Sequence, residues 1–154
     1  MKRRHVLPFV VIATLLLSSA TAGAISTRAA GKQYAKDVAS ANAALKTFDA
    51  QMGAWTNSTA DAQGEREAAA VLETLNALQK NLLSQSWPQF VKGGVQFICE
   101  EDISSLQEDL REIDNNSSLG NGAFQLTFRA DSHTLLSDAF YVRRELGLPS
   151  SGAL

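Results

Sequence analysis

The chain has 154 residues, with 14 Lys and Arg against 16 Asp and Glu, a formal charge of −2 and a single cysteine. That length supports one domain with a real hydrophobic core and is short for two. An acidic balance gains nothing from counterion release at phosphates, which argues against nucleic acid as a partner. One thiol cannot form an internal disulfide.

Residues 1–24 read as an export signal. Lys2, Arg3 and Arg4 form a charged start, Val6 to Leu17 is an apolar run broken by Pro8 and Thr14, and small residues follow to Ala24. The A-x-A spacing of Ala22 and Ala24 sets cleavage before Ile25, and Ala20 with Ala22 offers a second frame before Gly23. An uncleaved anchor is the alternative, and in either case the remainder faces outward. The membrane is then a partner only through this segment. Its removal takes three basic residues and no acid, leaving 11 Lys and Arg against 16 Asp and Glu, a formal −5.

Helix A is predicted over about 28–52, where Tyr34, Val38, Ala41, Leu45, Phe48 and Met52 alternate steps of four and three. Gly53 is its expected C-cap, and the GAWTNSTA tract is a loop. Helix B is predicted over 61–84 on a seam of Val71, Leu75, Leu78 and Leu82, widened by Leu72 and Leu83. Asp61, Glu65 and Glu67 suit the positive end of its dipole. Asn57-Ser58-Thr59 and Asn116-Ser117-Ser118 match the glycosylation tripeptide but fall in loops, where Asn and Ser are expected as turn formers.

Ser86-Trp87-Pro88 forces the next turn. Proline removes the preceding residue from helical geometry and suits a first helical turn, so helix C is predicted over 88–113 after almost no loop. Trp87 then plugs one end of the bundle. Helix C is the organising element: Val95, Cys99, Ile103, Leu106, Leu110 and Ile113 make its stripe, opposite Glu101, Gln107, Glu108 and Glu112. Gly93 and Gly94 mark a close contact or a kink. Cys99 lies on the stripe, where a free thiol is expected to be a buried apolar side chain rather than a redox group.

Glu100, Glu101, Asp102, Glu108, Asp109, Glu112 and Asp114 face one Arg111. A cation site competes here with a solvated helix face, and the latter is the commoner outcome. The tract from Asp114 fails as a calcium loop because Leu119 and Gln125 stand where glycine and glutamate are needed. Helix D is predicted over 123–146 on Phe124, Phe128, Leu135, Ala139, Val142 and Leu146, flanked by Leu136 and Phe140. Arg143 and Arg144 suit its last turn, Gly147 and Pro149 stop it, and Ser150 to Leu154 is expected to fray.

The ending VRRELGLP, Val142 to Pro149, and the Trp-Pro step in LLSQSWP, Leu82 to Pro88, resemble small exported actinobacterial helical-bundle proteins. The resemblance implies the architecture and the compartment only, since that group has no assigned activity. Many of those proteins carry a lipoprotein cysteine after the signal, and this sequence has none.

Four long amphipathic segments give an all-α fold. Joins of about eight, two and ten residues are too short to cross back along helices about 36 Å long, so the helices are expected to run up, down, up, down. The sequence has no haem attachment motif and no E-x-x-H pair, which argues against bound haem and a di-iron centre. A Met52–His133 haem pair fails on rotation, because His133 lies about 140° from the helix D seam at 100° per residue. No serine stands in a nucleophile elbow. No catalytic, metal or cofactor residue is therefore assigned. The expectation is an exported, non-catalytic binding or structural bundle at the cell envelope, with two candidate surfaces for a protein partner, the acidic face bearing Glu101, Glu108 and Glu112 and the bundle end bearing Trp87. The alternative is a carrier of a small apolar ligand in the bundle core.

Overall fold

Ser26 starts the first helix by accepting the Ala29 N–H on its hydroxyl, at 3.3 Å, which satisfies one of the donors left unpaired at a helix start. A computed structural model describes residues 26–55, 61–113, 122–149 and 153–154. The export segment, both glycosylation tripeptides and residues 114–121 of the tract after Asp114 lie outside the described residues.

Among the described residues the fold is all helical, with four helices and no strand. Helix α1 spans Thr27–Ala54 and α2 spans Asp61–Ser84. The third helix comes in pieces: α3 at Gln89–Phe97, a π turn at Ile98–Asp102, and α4 at Ile103–Glu112. Helix α5 spans Ala123–Glu145. The predicted seams are buried nearly residue for residue, from Tyr34 and Phe48 through Leu75 and Leu82 to Phe128 and Leu135. They meet in one continuous core cluster. Truncating a fully enclosed member such as Leu75 to alanine would cost about 2–5 kcal/mol.

Several expectations need correction. Gly53 does not end the first helix, which continues through Ala54 and stops at Trp55 in extended geometry. The reason is aromatic: Trp55 turns in to stack on Phe124 and meet Phe48 edge-on, and its Nε1 donates to Glu67 Oε2 at 2.8 Å. Burying that indole outweighs the glycine stop signal. Pro88 sits just before α3 rather than inside it, and its carbonyl accepts the N–H groups of Val91 and Lys92.

The third helix is not evenly wound. Its π turn sends Ile98 and Cys99, and then Asp102 and Ile103, into the interior as adjacent pairs. The wider turn leaves the Cys99 carbonyl accepting from the Gln79 carboxamide and the Ser104 hydroxyl. Gln107, expected on the polar face, is buried and donates to Gln79 Oε1 at 3.2 Å. Gly94 marks a close contact: a Cβ there would lie 2.9 Å from a Val142 methyl, whereas one at Gly93 would meet nothing within 4 Å.

Helix α5 ends as expected at Gly147, whose φ of +68° suits glycine. The tail beyond it is not wholly frayed. Leu154 is buried, its N–H donates to Asn42 Oδ1 at 2.8 Å, and Arg143 donates to the main-chain oxygens of Leu154 and Pro149. Helix α1 packs along α2, α2 along α4, and α5 along α3, the π turn and α4, while α1 meets α5 over a shorter seam. No described helix is long and apolar enough to cross a membrane.

Candidate functional site

Glu101, Glu108 and Glu112 are exposed, as their place opposite the stripe requires. Trp87 is set apart from them and partly buried. Its ring stands edge-on to Tyr34 at 6.0 Å, and its Nε1 donates to the Leu82 carbonyl at 2.7 Å. Tyr34 itself is enclosed with its hydroxyl unpartnered, and burial pushes that group's pKa upward.

The reactive side chains are also apart. Cys99 is fully buried, and burial, with Glu100 second, pushes its thiol up to about 12. A thiol held in that form is a poor nucleophile and a poor metal ligand. His133 is exposed on α5, and Met52 is core. Among the described residues no three His, Cys, Asp or Glu side chains are grouped to hold a metal ion.

The acids of the third helix are not one solvated face. Asp102 is only 7% exposed, with Oδ2 buried and unpartnered, and Asp109 also buries an unpartnered Oδ2. Each has an aspartate of α5 close by, Asp138 beside Asp102 and Asp131 beside Asp109. Burial is the largest cause of a rise in Asp102 to about 6, followed by Asp138, Glu101 and Asp131. For Asp109 burial again leads to about 6, followed by Asp131, Glu112 and Glu108. The rise keeps Asp102 and Asp109 protonated to a higher pH than an ordinary aspartate. A readable signal existed: aspartates seven apart on each helix, 102 and 109, 131 and 138.

The second feature is a groove of about 510 Å³ where α1 and α5 diverge. Leu45, Phe128 and Leu136 supply its apolar lining, and Lys46, Arg129 and His133 its polar side. Arg129 pairs with Asp49 at 2.7 Å, and Ala153 of the tail lines the groove as well. Ser132 also lines it, with a buried hydroxyl that has no partner.

No protein-family model matches this chain, and no curated protein or solved structure matches it significantly. The reading therefore rests on the groups themselves. Asp102 and Asp109 can take up and release protons near pH 6. The groove has the size and the mixed lining of a small-molecule site. The groove was not legible in the sequence because it combines seam residues, Leu45 and Phe128, with polar neighbours on two helices far apart in the chain.

Proposed function

We propose that the protein is an exported, non-catalytic helical bundle, running up, down, up, down, that acts by binding at the cell envelope. The basic start, apolar run and alanine spacing of residues 1–24 support export, and the likeness to small exported actinobacterial proteins agrees with it. One observation carries the non-catalytic reading: the thiol of Cys99 lies in the core while the imidazole of His133 faces solvent. Catalysis by either needs an activating neighbour in a water-poor pocket. The displayed surface offers recognition chemistry instead, in the carboxylates of Glu101, Glu108 and Glu112 and in exposed rings such as Phe90 and Phe97.

Pull-down from the native envelope with Glu101→Lys and Glu108→Lys tests the acidic surface. Both residues are exposed, so melting should be unchanged while the captured partner is lost. Retention of every partner by the double variant would remove the acidic face from the proposal. Intact mass of the exported protein, beginning at Ile25 or Gly23, tests the signal.

A second reading, a carrier of a small apolar ligand, is favoured by the groove between α1 and α5. The bundle centre is occupied by packed side chains, so the carried molecule would sit on this flank. Mass spectrometry of protein purified from its own host tests it.

A further inference from the structure

The groove between α1 and α5 has a chemistry that narrows what it can hold, and this step rests on the carrier reading. Its α1 wall is the stripe Asn42, Leu45, Lys46 and Asp49, and its α5 wall runs from Phe128 to Leu136. At 1.5 Å per helical residue these walls are each about 10–12 Å long. The groove is closed partly by the chain itself, because Asn42 holds the Leu154 N–H and so ties Ala153 into the lining.

The lining is divided. Leu45, Leu136 and Ala153 offer apolar surface, and Phe128 adds an aromatic floor. Lys46 and Arg129 offer positive charge, of which Asp49 engages only Arg129. Among the described residues Lys46 has no carboxylate partner, so the rim carries one cation in excess within an otherwise acidic chain. The Ser132 hydroxyl is a donor buried without an acceptor, and such a group costs stability unless something supplies one.

We infer that this groove binds a single-chain amphiphile with a carboxylate head, a medium-chain fatty acid, with its head at Lys46 and Arg129 and its chain along Leu45, Leu136 and Ala153. The head supplies the missing counter-charge. The chain covers the apolar lining. The groove's length suits about ten carbons better than a long membrane lipid.

Calorimetric titration of the purified protein with decanoate, below its micelle concentration, is the direct test. Decyltrimethylammonium provides the same chain with the opposite head. Two variants report on the site: Leu136→Trp, which fills the groove from a partly buried position, and Lys46→Glu, which reverses the excess charge. Circular dichroism and melting confirm that both fold. Decanoate should bind one per chain, each variant should weaken it by about tenfold or more, and the cationic amphiphile should bind at least about tenfold more weakly. Equal binding of both amphiphiles, lost in Leu136→Trp, would overturn the carboxylate assignment and leave the carrier reading standing. Decanoate binding unaffected by Leu136→Trp would overturn this groove as the site. Absence of binding by either amphiphile would overturn both the ligand class and the carrier reading.

Discussion

Asp102 of the π turn is almost wholly enclosed, and after burial itself Asp138 of α5 does most to push its carboxyl up. Two turns further along, Asp109 and Asp131 repeat the arrangement. Every titratable group credited with raising either aspartate is another acid: Glu101, Asp131 and Asp138 around Asp102, and Glu108, Glu112 and Asp131 around Asp109.

These pairs set a pH dependence of stability. Asp102 and Asp109 rise from 3.8 to about 6, so between those values the native fold binds more protons than the unfolded chain. The stability they lend is complete below the unfolded value and is lost as the pH rises through about 6. Thermal melts should therefore show a higher Tm near pH 4.5 than near pH 7.5, by roughly 5 °C. A Tm that is flat or rises over that interval would contradict the pairing.

Asp102→Asn should remove much of that slope. A carboxamide keeps the shape of the carboxyl and can donate to Asp138 without a proton being taken up. The variant should be about 1–2 kcal/mol more stable than the parent near pH 7.5 and nearly equal to it near pH 4.5, as read by urea unfolding. A loss of stability at both pH values would mean that the charged form of Asp102 is the one the fold needs.

Two adjacent glycines should respond in opposite directions. Gly93→Ala meets open space and gains helix propensity, so it should stabilise by about 0.5–1 kcal/mol. Gly94→Ala drives a methyl against Val142 and should destabilise by about 1 kcal/mol or more. Adding Val142→Ala should recover part of the loss caused by Gly94→Ala, a coupling that a double-mutant cycle measures.

The thiol of Cys99 should react only when the chain opens. Labelling of the native protein should be slow, without a rapid phase, and should accelerate in parallel with unfolding in denaturant. Cys99→Asp should destabilise by several kcal/mol, because the fold offers no counter-charge at that point.

The sequence read well wherever one periodicity held. Steps of four and three along Tyr34 to Met52, and along Phe124 to Leu146, located the buried faces because an α-helix returns to the same side at that rhythm. It failed where the winding changed. Val91, Val95, Cys99 and Ile103 are separated by three successive steps of four, a drift that even α winding cannot keep on one side and a π turn can. That misreading put Asp102 on the wet face, whereas Gln107 was misplaced by its polarity alone, since it lies four residues after Ile103 and three before Leu110 on the same α stripe. Gly53 misled for a different reason: where the helix stops depended on Trp55 finding Phe124, a partner distant in sequence, as well as the nearer Phe48. Lys46, Ser132 and Arg129 were unremarkable in sequence, since they become a set only when α1 and α5 diverge.

A π turn holds one residue more than the α turns on either side of it. The third helix is therefore a residue longer than the length of bundle it covers. Losing one residue from Ile98–Asp102 would let the backbone rewind as continuous α-helix, with Val91 and Val95 before it and Leu106 and Leu110 after it still inward. Asp102 would stay beside Leu106 and on the side of Asp109, so the shorter chain would keep its shape and, unless Asp102 itself were the residue lost, the Asp102–Asp138 approach. A length difference between such chains would then fall in the middle of a helix, not in a loop, and would leave the buried stripe continuous on both sides of it.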